Sequence, residues 1–220
     1  MYNITKNYTQ SSFGYSTTAG YNPEPEPVNY VARTDGISQS WRLSSSIYIP
    51  PTVDFRLEFD LSVGEVRSQG VFYNSQTAFS NYVRLFTSDA YAYNVLIGFD
   101  SSNGAFFKHS DGFNLFDNKL NRIIIGRVSG VVSAYLNGVK DNTERNNTDS
   151  LSFDFTNRYA NSYLSGVIAN LEIEIDGIVT NKIPLTDKSQ GATQIATVGN
   201  INATMINYTE DVWEVDDNTS

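Results

Sequence analysis

Three carboxylates stand at alternate positions in Glu172-Ile173-Glu174-Ile175-Asp176. Alternate side chains of an extended chain share one face, so a strand here sets Glu172, Glu174 and Asp176 in a row. Two carboxyl groups about 5 Å apart, flanking a glycosidic bond, are the machinery of a retaining glycosidase. The same alternation with Leu171, Ile173 and Ile175 is also what any strand with one apolar and one wet face presents. The solvated face is the expectation taken here.

Other chemistry is narrowed by composition. The chain has no cysteine and one histidine, His109, which removes thiolate zinc sites, cysteine nucleophiles, redox pairs and His-pair metal centres. His109 reads as a turn residue in Lys108-His109-Ser110-Asp111-Gly112. There is no nucleophile elbow, phosphate loop or dinucleotide fingerprint. Oxygen ligands for calcium stand at Asp89, Asp100, Asn103, Asp111, Asp117 and Asn118 in expected turns. No run there matches an EF-hand, and Asx turn chemistry accounts for the same residues. No cofactor is expected, Ca2+ being the one metal for which donors exist. Thr87-Ser88-Asp89-Ala90-Tyr91-Ala92-Tyr93-Asn94 reads as an exposed loop. Its Tyr91 and Tyr93 rings, with Asp89 and Asn94 as acceptors, form a candidate glycan platform; packing of those rings on strand ends is the alternative.

The elements that must position these groups are strands. Phe55, Leu57, Phe59 and Leu61 alternate with Asp54, Arg56, Glu58 and Asp60, the period-2 signature of a half-buried strand. Further strands are expected at 71–73, 82–86, 95–99, 105–108, 122–128, 131–136, 151–155 and 167–175. Ser129-Gly130 and Asn137-Gly138 are two-residue hairpin turns, where glycine supplies the positive φ. No amphipathic helix exceeds two turns, so the expected class is all-β, a two-sheet antiparallel sandwich over residues 28–213.

Residues 1–27 form a separate segment of Tyr, Asn, Ser, Thr and Gly ending in Pro23-Glu24-Pro25-Glu26-Pro27, an extended spacer. Its Tyr2, Ile4, Tyr8, Phe13, Tyr15 and Tyr21 are too sparse to build a core, and suit an arm that orders against a neighbouring subunit; a frayed terminus is the alternative. Residues 214–220 read as a polar tail. With 220 residues and a net charge of −9, the chain is poorly suited to nucleic acid or anionic membrane. No apolar run reaches the ~18 residues of a span, so membrane insertion is not expected. Met1 to Lys6 shows no export signal. Six Asn-x-Ser/Thr sequons, beginning at Asn3, Asn7, Asn146, Asn202, Asn207 and Asn218, are accounted for by chance in so Asn-rich a chain.

Arg122 to Val139 (RIIIGRVSGVVSAYLNGV) resembles the hairpin region of concanavalin A-like lectin/glucanase and laminin G-like domains, in which a strand leads through a Gly turn to a second strand ending in Asn-Gly. Leu164 to Ile173 (LSGVIANLEI) is similar to a late strand of that jelly roll. With Trp41 early, and Asn202 to Asn207 leading to Trp213 late, the chain looks like versions of this domain found in bacteriophage structural proteins. The resemblance implies a concanavalin A/laminin G-like jelly roll and a non-enzymatic virion structural or adhesion protein, part of a decoration, fibre or tail. Such a protein is expected at the virion surface, bound to copies of itself and to virion proteins, and reaching host surface glycans. An extracellular carbohydrate-binding module and a glycoside hydrolase of the same fold are the alternatives. Glucanases of this fold look similar at the Glu172 strand, but their Glu-x-Asp-x-(x)-Glu order differs from Glu-x-Glu-x-Asp here.

Overall fold

A computed structural model describes residues 28–75, 82–88, 91–98, 103–107, 112–159 and 161–216. In chain order the strands are β1 (Tyr30–Asp35), β2 (Ser40–Ile49), β3 (Phe55–Val63), β4 (Gln69–Tyr73), β5 (Tyr82–Ser88), β6 (Tyr91–Gly98), β7 (Asn103–Phe106), β8 (Asn121–Val128), β9 (Val131–Leu136), β10 (Val139–Lys140), β11 (Arg145–Asn146), β12 (Leu151–Thr156), β13 (Arg158–Tyr159), β14 (Ser162–Tyr163), β15 (Ser165–Ile175), β16 (Ile178–Ile183), β17 (Thr193–Gln194), β18 (Ala203–Ile206) and β19 (Trp213–Val215). Helix is confined, among the described residues, to two 3-10 turns at Lys188–Gln190 and Glu210–Val212.

Two antiparallel sheets stack face to face. One runs β10-β9-β8-β3-β15-β1-β19, with β11 also on β9 and β16 also on β15; the other runs β17-β18-β2-β12-β4-β5-β6-β7. The chain crosses between sheets from β1 to β2 and back from β2 to β3, so each sheet needs strands distant in sequence. The sandwich expected from period-2 patterning is the structure found.

The alternation of β3 turns Phe55, Leu57, Phe59 and Leu61 inward, none more than 4 % exposed. Ile123 and Ile125 of β8, Val132 and Ala134 of β9, and Leu171 and Ile173 of β15 complete that inner face. Opposite lie Trp41, Leu43, Ile47 and Ile49 of β2, Phe72 of β4 and Phe153 of β12. Phe59 meets Phe72 edge-on at 4.8 Å, and Phe72 meets Phe153 at 4.7 Å, so an aromatic row joins the two layers. Each such side chain stabilises the fold by roughly 1.5–3 kcal/mol through burial.

Ser129-Gly130 and Asn137-Gly138 form the two hairpin turns, with φ of 51° and 79°, and of 49° and 81°. Positive φ at both central residues is the type I′ geometry that matches strand twist. Three departures from the sequence reading have local causes. Residues 87, 88 and 91–94, read as loop, belong to β5 and β6, paired Phe86↔Asn94 and Ser88↔Tyr91; alternation from Tyr91 through Tyr93 into Val95 continues the strand. Glu214 and Val215, read as tail, extend β19 beside β1, where Arg33 Nε donates to Glu214 at 2.8 Å. The expected strand at 105–108 ends at Phe106 because Phe107 takes a φ of 54°.

Arg127 occupies an inward position of β8 and is fully buried. Its Nε donates to the Val53 carbonyl at 2.8 Å, and its two terminal nitrogens donate to Asp149 and Pro50 carbonyls at 2.5 and 2.7 Å. The guanidinium also lies 5.2 Å from the Phe55 ring centre. Burial pushes its pKa below the usual value, and the charges of Asp54 and Asp149 oppose that shift. Replacing Arg127 by Met is expected to cost about 3–5 kcal/mol, since three part-buried carbonyls lose a charged donor. Lys should recover only part, one ammonium being unable to reach all three. Urea unfolding midpoints measure both, and an unchanged midpoint in the Met variant would show that the loops hold without this tie.

Candidate functional site

The outer face of the larger sheet is built from the residues that alternate with its core. Strand register sets them in rows. One row is Glu174, Arg56, Gly126 and Ser133, on β15, β3, β8 and β9; the next is Lys182, Glu172, Glu58, Ile124 and Tyr135. Gly126 and Ser133 are adjacent and small, so the first row sinks between larger neighbours. The result is a groove of about 710 Å³. It is lined by Ile124 and Tyr135 from the second row, by Arg56 and Glu174 from the first, and by Asp54 and Asp176.

The carboxylates of this face fall into two groups. Glu58 is paired with the guanidiniums of both Arg56 and Arg122, and it is only 6 % exposed. Glu172 accepts from Lys182 Nζ at 2.8 Å and lies 3.9 Å from Arg56. Glu58 and Glu172 are directly opposed across β3 and β15, an arrangement of like charges that is destabilising without intervening cations. Glu174 belongs to the second group. Its carboxylate and the Ser133 and Tyr135 hydroxyls have no hydrogen-bond partner among the described residues.

Asp54 and Asp176 sit where two turns meet. Asp54 Oδ1 accepts from Ser129 N at 2.7 Å, Asp176 N donates to the Asp54 carbonyl at 3.0 Å, and Asp54 N donates to Asp176 Oδ1 at 3.2 Å.

Of the groups singled out from sequence, Glu172, Glu174 and Asp176 come together on this face, and Tyr135 stands three strands away, beyond β3 and β8. The hairpin residues Ile124, Gly126, Ser133 and Tyr135 were recognised as strand positions but not as a site. Their only signal was Tyr and Ile at outward positions of an otherwise wet face. In the expected glycan platform, Tyr91, Tyr93 and Asn94 lie on β6, with no side-chain position described, and Asp89 lies outside the described residues. So do His109, Asp100, Asp111 and the arm residues Tyr2, Ile4, Tyr8, Phe13, Tyr15 and Tyr21. Asn103 lies on β7. Asp117 accepts from Lys119 N and Asn121 Nδ2, each at 3.0 Å, as an Asx turn, and Asn118 has a φ of 59°. Among the described residues no group of three or more His, Asp or Glu is placed to hold a metal ion.

No family model matches the chain, and no curated protein matches it. Among solved structures, a Bacteroides ovatus protein described as a candidate carbohydrate-binding protein matches with a TM-score of 0.56 and 13 % identity, over 83 % of this chain and 61 % of that one. The chain thus spans less than two thirds of that protein's length. The likeness is one of fold, a jelly-roll sandwich. A heptameric SAP-like pentraxin from Limulus polyphemus matches with a TM-score of 0.46 and 10 % identity, over 66 % of this chain and 75 % of that one.

Further along the same face, Asp60 opposes Arg122 across β3 and β8 and accepts from Asn170 Nδ2 at 2.7 Å. Burial raises its pKa, the Asn170 bond opposes the shift, and the charge of Asp216 adds to it. A raised folded-state pKa means that ionisation of Asp60 disfavours the fold above that pKa. The penalty fades as pH falls through the folded value and is gone below the unfolded value of about 3.9. Asp60→Asn, which keeps the acceptor for Asn170, should therefore raise the melting temperature at pH 7. That gain should disappear in melts at about pH 3; a gain constant with pH would exclude the ionisation as its source.

Proposed function

We propose that this domain is a non-enzymatic carbohydrate-binding module, with the groove over Gly126 and Ser133 as its saccharide site. The observation that carries the reading is the pairing of an apolar side, Ile124 and the Tyr135 ring, with unengaged polar groups on Ser133, Tyr135 and Glu174. Sugars present an apolar C–H face and a rim of hydroxyls, and sites for them combine a ring with a few fixed polar groups. The fold likeness to a protein described as a candidate carbohydrate-binding protein supports the same class. The Glu-x-Glu-x-Asp order of the β15 carboxylates and the commitment of Glu172 to Lys182 and Arg56 support binding over hydrolysis.

The arm gives this reading its setting. Residues 1–27 carry Tyr2, Ile4, Tyr8, Phe13, Tyr15 and Tyr21 with a proline spacer, a composition suited to anchoring the sandwich on a neighbouring subunit or virion protein with the groove outward. Its glycan partner would then be on a host surface; an extracellular module anchored in another way is the alternative setting.

Two tests follow. Ser133→Trp, which fills the groove from an outward position, should abolish binding on a glycan array while leaving the melting temperature within about a degree, as surface substitutions do. Tyr135→Ala should weaken binding about tenfold through loss of the ring face; full binding by both variants would remove the groove from the reading. Deleting residues 1–27 should leave glycan binding intact and reduce assembly measured by solution mass. Unchanged assembly would defeat the anchoring role.

A further inference from the structure

Resting on the saccharide reading of this groove, we infer that it selects by charge, taking a sugar that carries a free amine in preference to its neutral counterpart, and a neutral sugar in preference to an acidic one. The cations near the groove are already engaged. Arg127 gives its N–H groups to three backbone carbonyls beneath the sheet. Arg56 is paired with Glu58 and leans toward Glu172. Lys182 is held by Glu172 on the far side of Arg56, and Lys140, which opposes Tyr135 across β9 and β10, is paired with Glu144.

The groups left to meet a ligand are acceptors. Glu174 has no partner among the described residues, and Asp54 and Asp176 each bind a backbone N–H through one carboxylate oxygen, Oδ1. Three carboxylates thus line the groove, Glu174 in the same row as the Gly126–Ser133 depression, while Ile124 and Tyr135 in the next row supply apolar surface. A protonated amine brings three donors and a positive charge to such a surface, and charge-assisted hydrogen bonds to carboxylates are stronger than neutral ones. A uronic acid brings a negative charge facing Glu174 with no free guanidinium to receive it. The carboxylates are partly exposed, so the preference is a modest one and depends on salt.

The test uses the full chain and three tetrasaccharides: one of glucosamine, one of N-acetylglucosamine and one of galacturonic acid. Affinities are measured by titration calorimetry at mildly acidic pH, where the amine carries its proton. The amine form is expected to bind roughly threefold to fivefold more tightly than the acetylated form, with the acidic form weakest. In Glu174→Gln the ratio of amine to acetylated form should fall toward one, while the acetylated form keeps its affinity. Raising salt from about 0.05 to 0.5 M should have the same effect. Equal affinities of the amine and acetylated forms, or tightest binding of the acidic form, would overturn charge selection while leaving the saccharide groove in place, provided Ser133→Trp still abolishes binding. Binding that survives Ser133→Trp, or no binding of any of the three, would overturn the groove reading and this inference together.

Discussion

The sandwich closes around a buried positive charge. Arg127 sits at an inward position of β8, where the pattern calls for an apolar side chain, and it is stabilised there by three carbonyls and the face of Phe55. Those carbonyls belong to the crossing from β2 to β3 and to the approach to β12, so one guanidinium fastens connections between the two sheets. A buried ion without partners would cost several kcal/mol, and a set of unpaired carbonyls would cost more than ordinary turns can bear. The charge and the carbonyls are each tolerable because of the other. The groove depends on the same tie, since Gly126 precedes Arg127 and Asp54 follows Val53.

Electrostatics on the outer face divides residues that sequence alone treats alike. Glu58, Glu172 and Glu174 all alternate with core positions, yet the first two are held by Arg56, Arg122 and Lys182, and the third is not. The pairing is required by the sheet, which sets Glu58 directly against Glu172. Cations on the flanking strands β8 and β16, and on β3 itself, neutralise that opposition. Of the three carboxylates that alternate from Glu172 to Asp176, Glu172 is thus committed to holding strands together, whereas Glu174, one row away, has no ion pair among the described residues.

Local pattern made part of this legible. The alternation of Phe55 to Leu61 and the turns at Ser129-Gly130 and Asn137-Gly138 follow from short-range sterics and burial, and the structure matches them residue for residue. The strand β2 was less visible because Ser44-Ser45-Ser46 interrupts its apolar pattern, and β16 because Ile178-Val179-Thr180 carries no alternation. The site was the harder problem. Glu172 and Glu174 could be seen to share a face, but β3 is inserted between β8 and β15, bringing residue 58 between residues 124 and 172. No window of sequence contains that adjacency. Gly126 and Ser133 gain meaning only once their register makes them neighbours.

Register in turn is fixed at the end of the groove. The β8–β9 turn at Ser129-Gly130 and the β15–β16 turn at Asp176-Gly177 both have positive φ at their two central residues. They are bridged by Asp54, whose carboxylate accepts from Ser129 and whose backbone exchanges bonds with Asp176. A slip of one residue in either hairpin would turn every side chain of the slipped strand to the opposite face. Tyr135 and Ser133 would then enter the core in exchange for Ala134, or Glu174 in exchange for Ile173. The opposition of core residues to that exchange and the Asp54 bridge act on the same two turns, so one short stretch before β3 holds the binding surface in phase with the hydrophobic core. In that respect Asp54, which the alternation marks only as a wet residue at the mouth of a strand, contributes to the site by fixing the phase of its two sides as well as by lining its end.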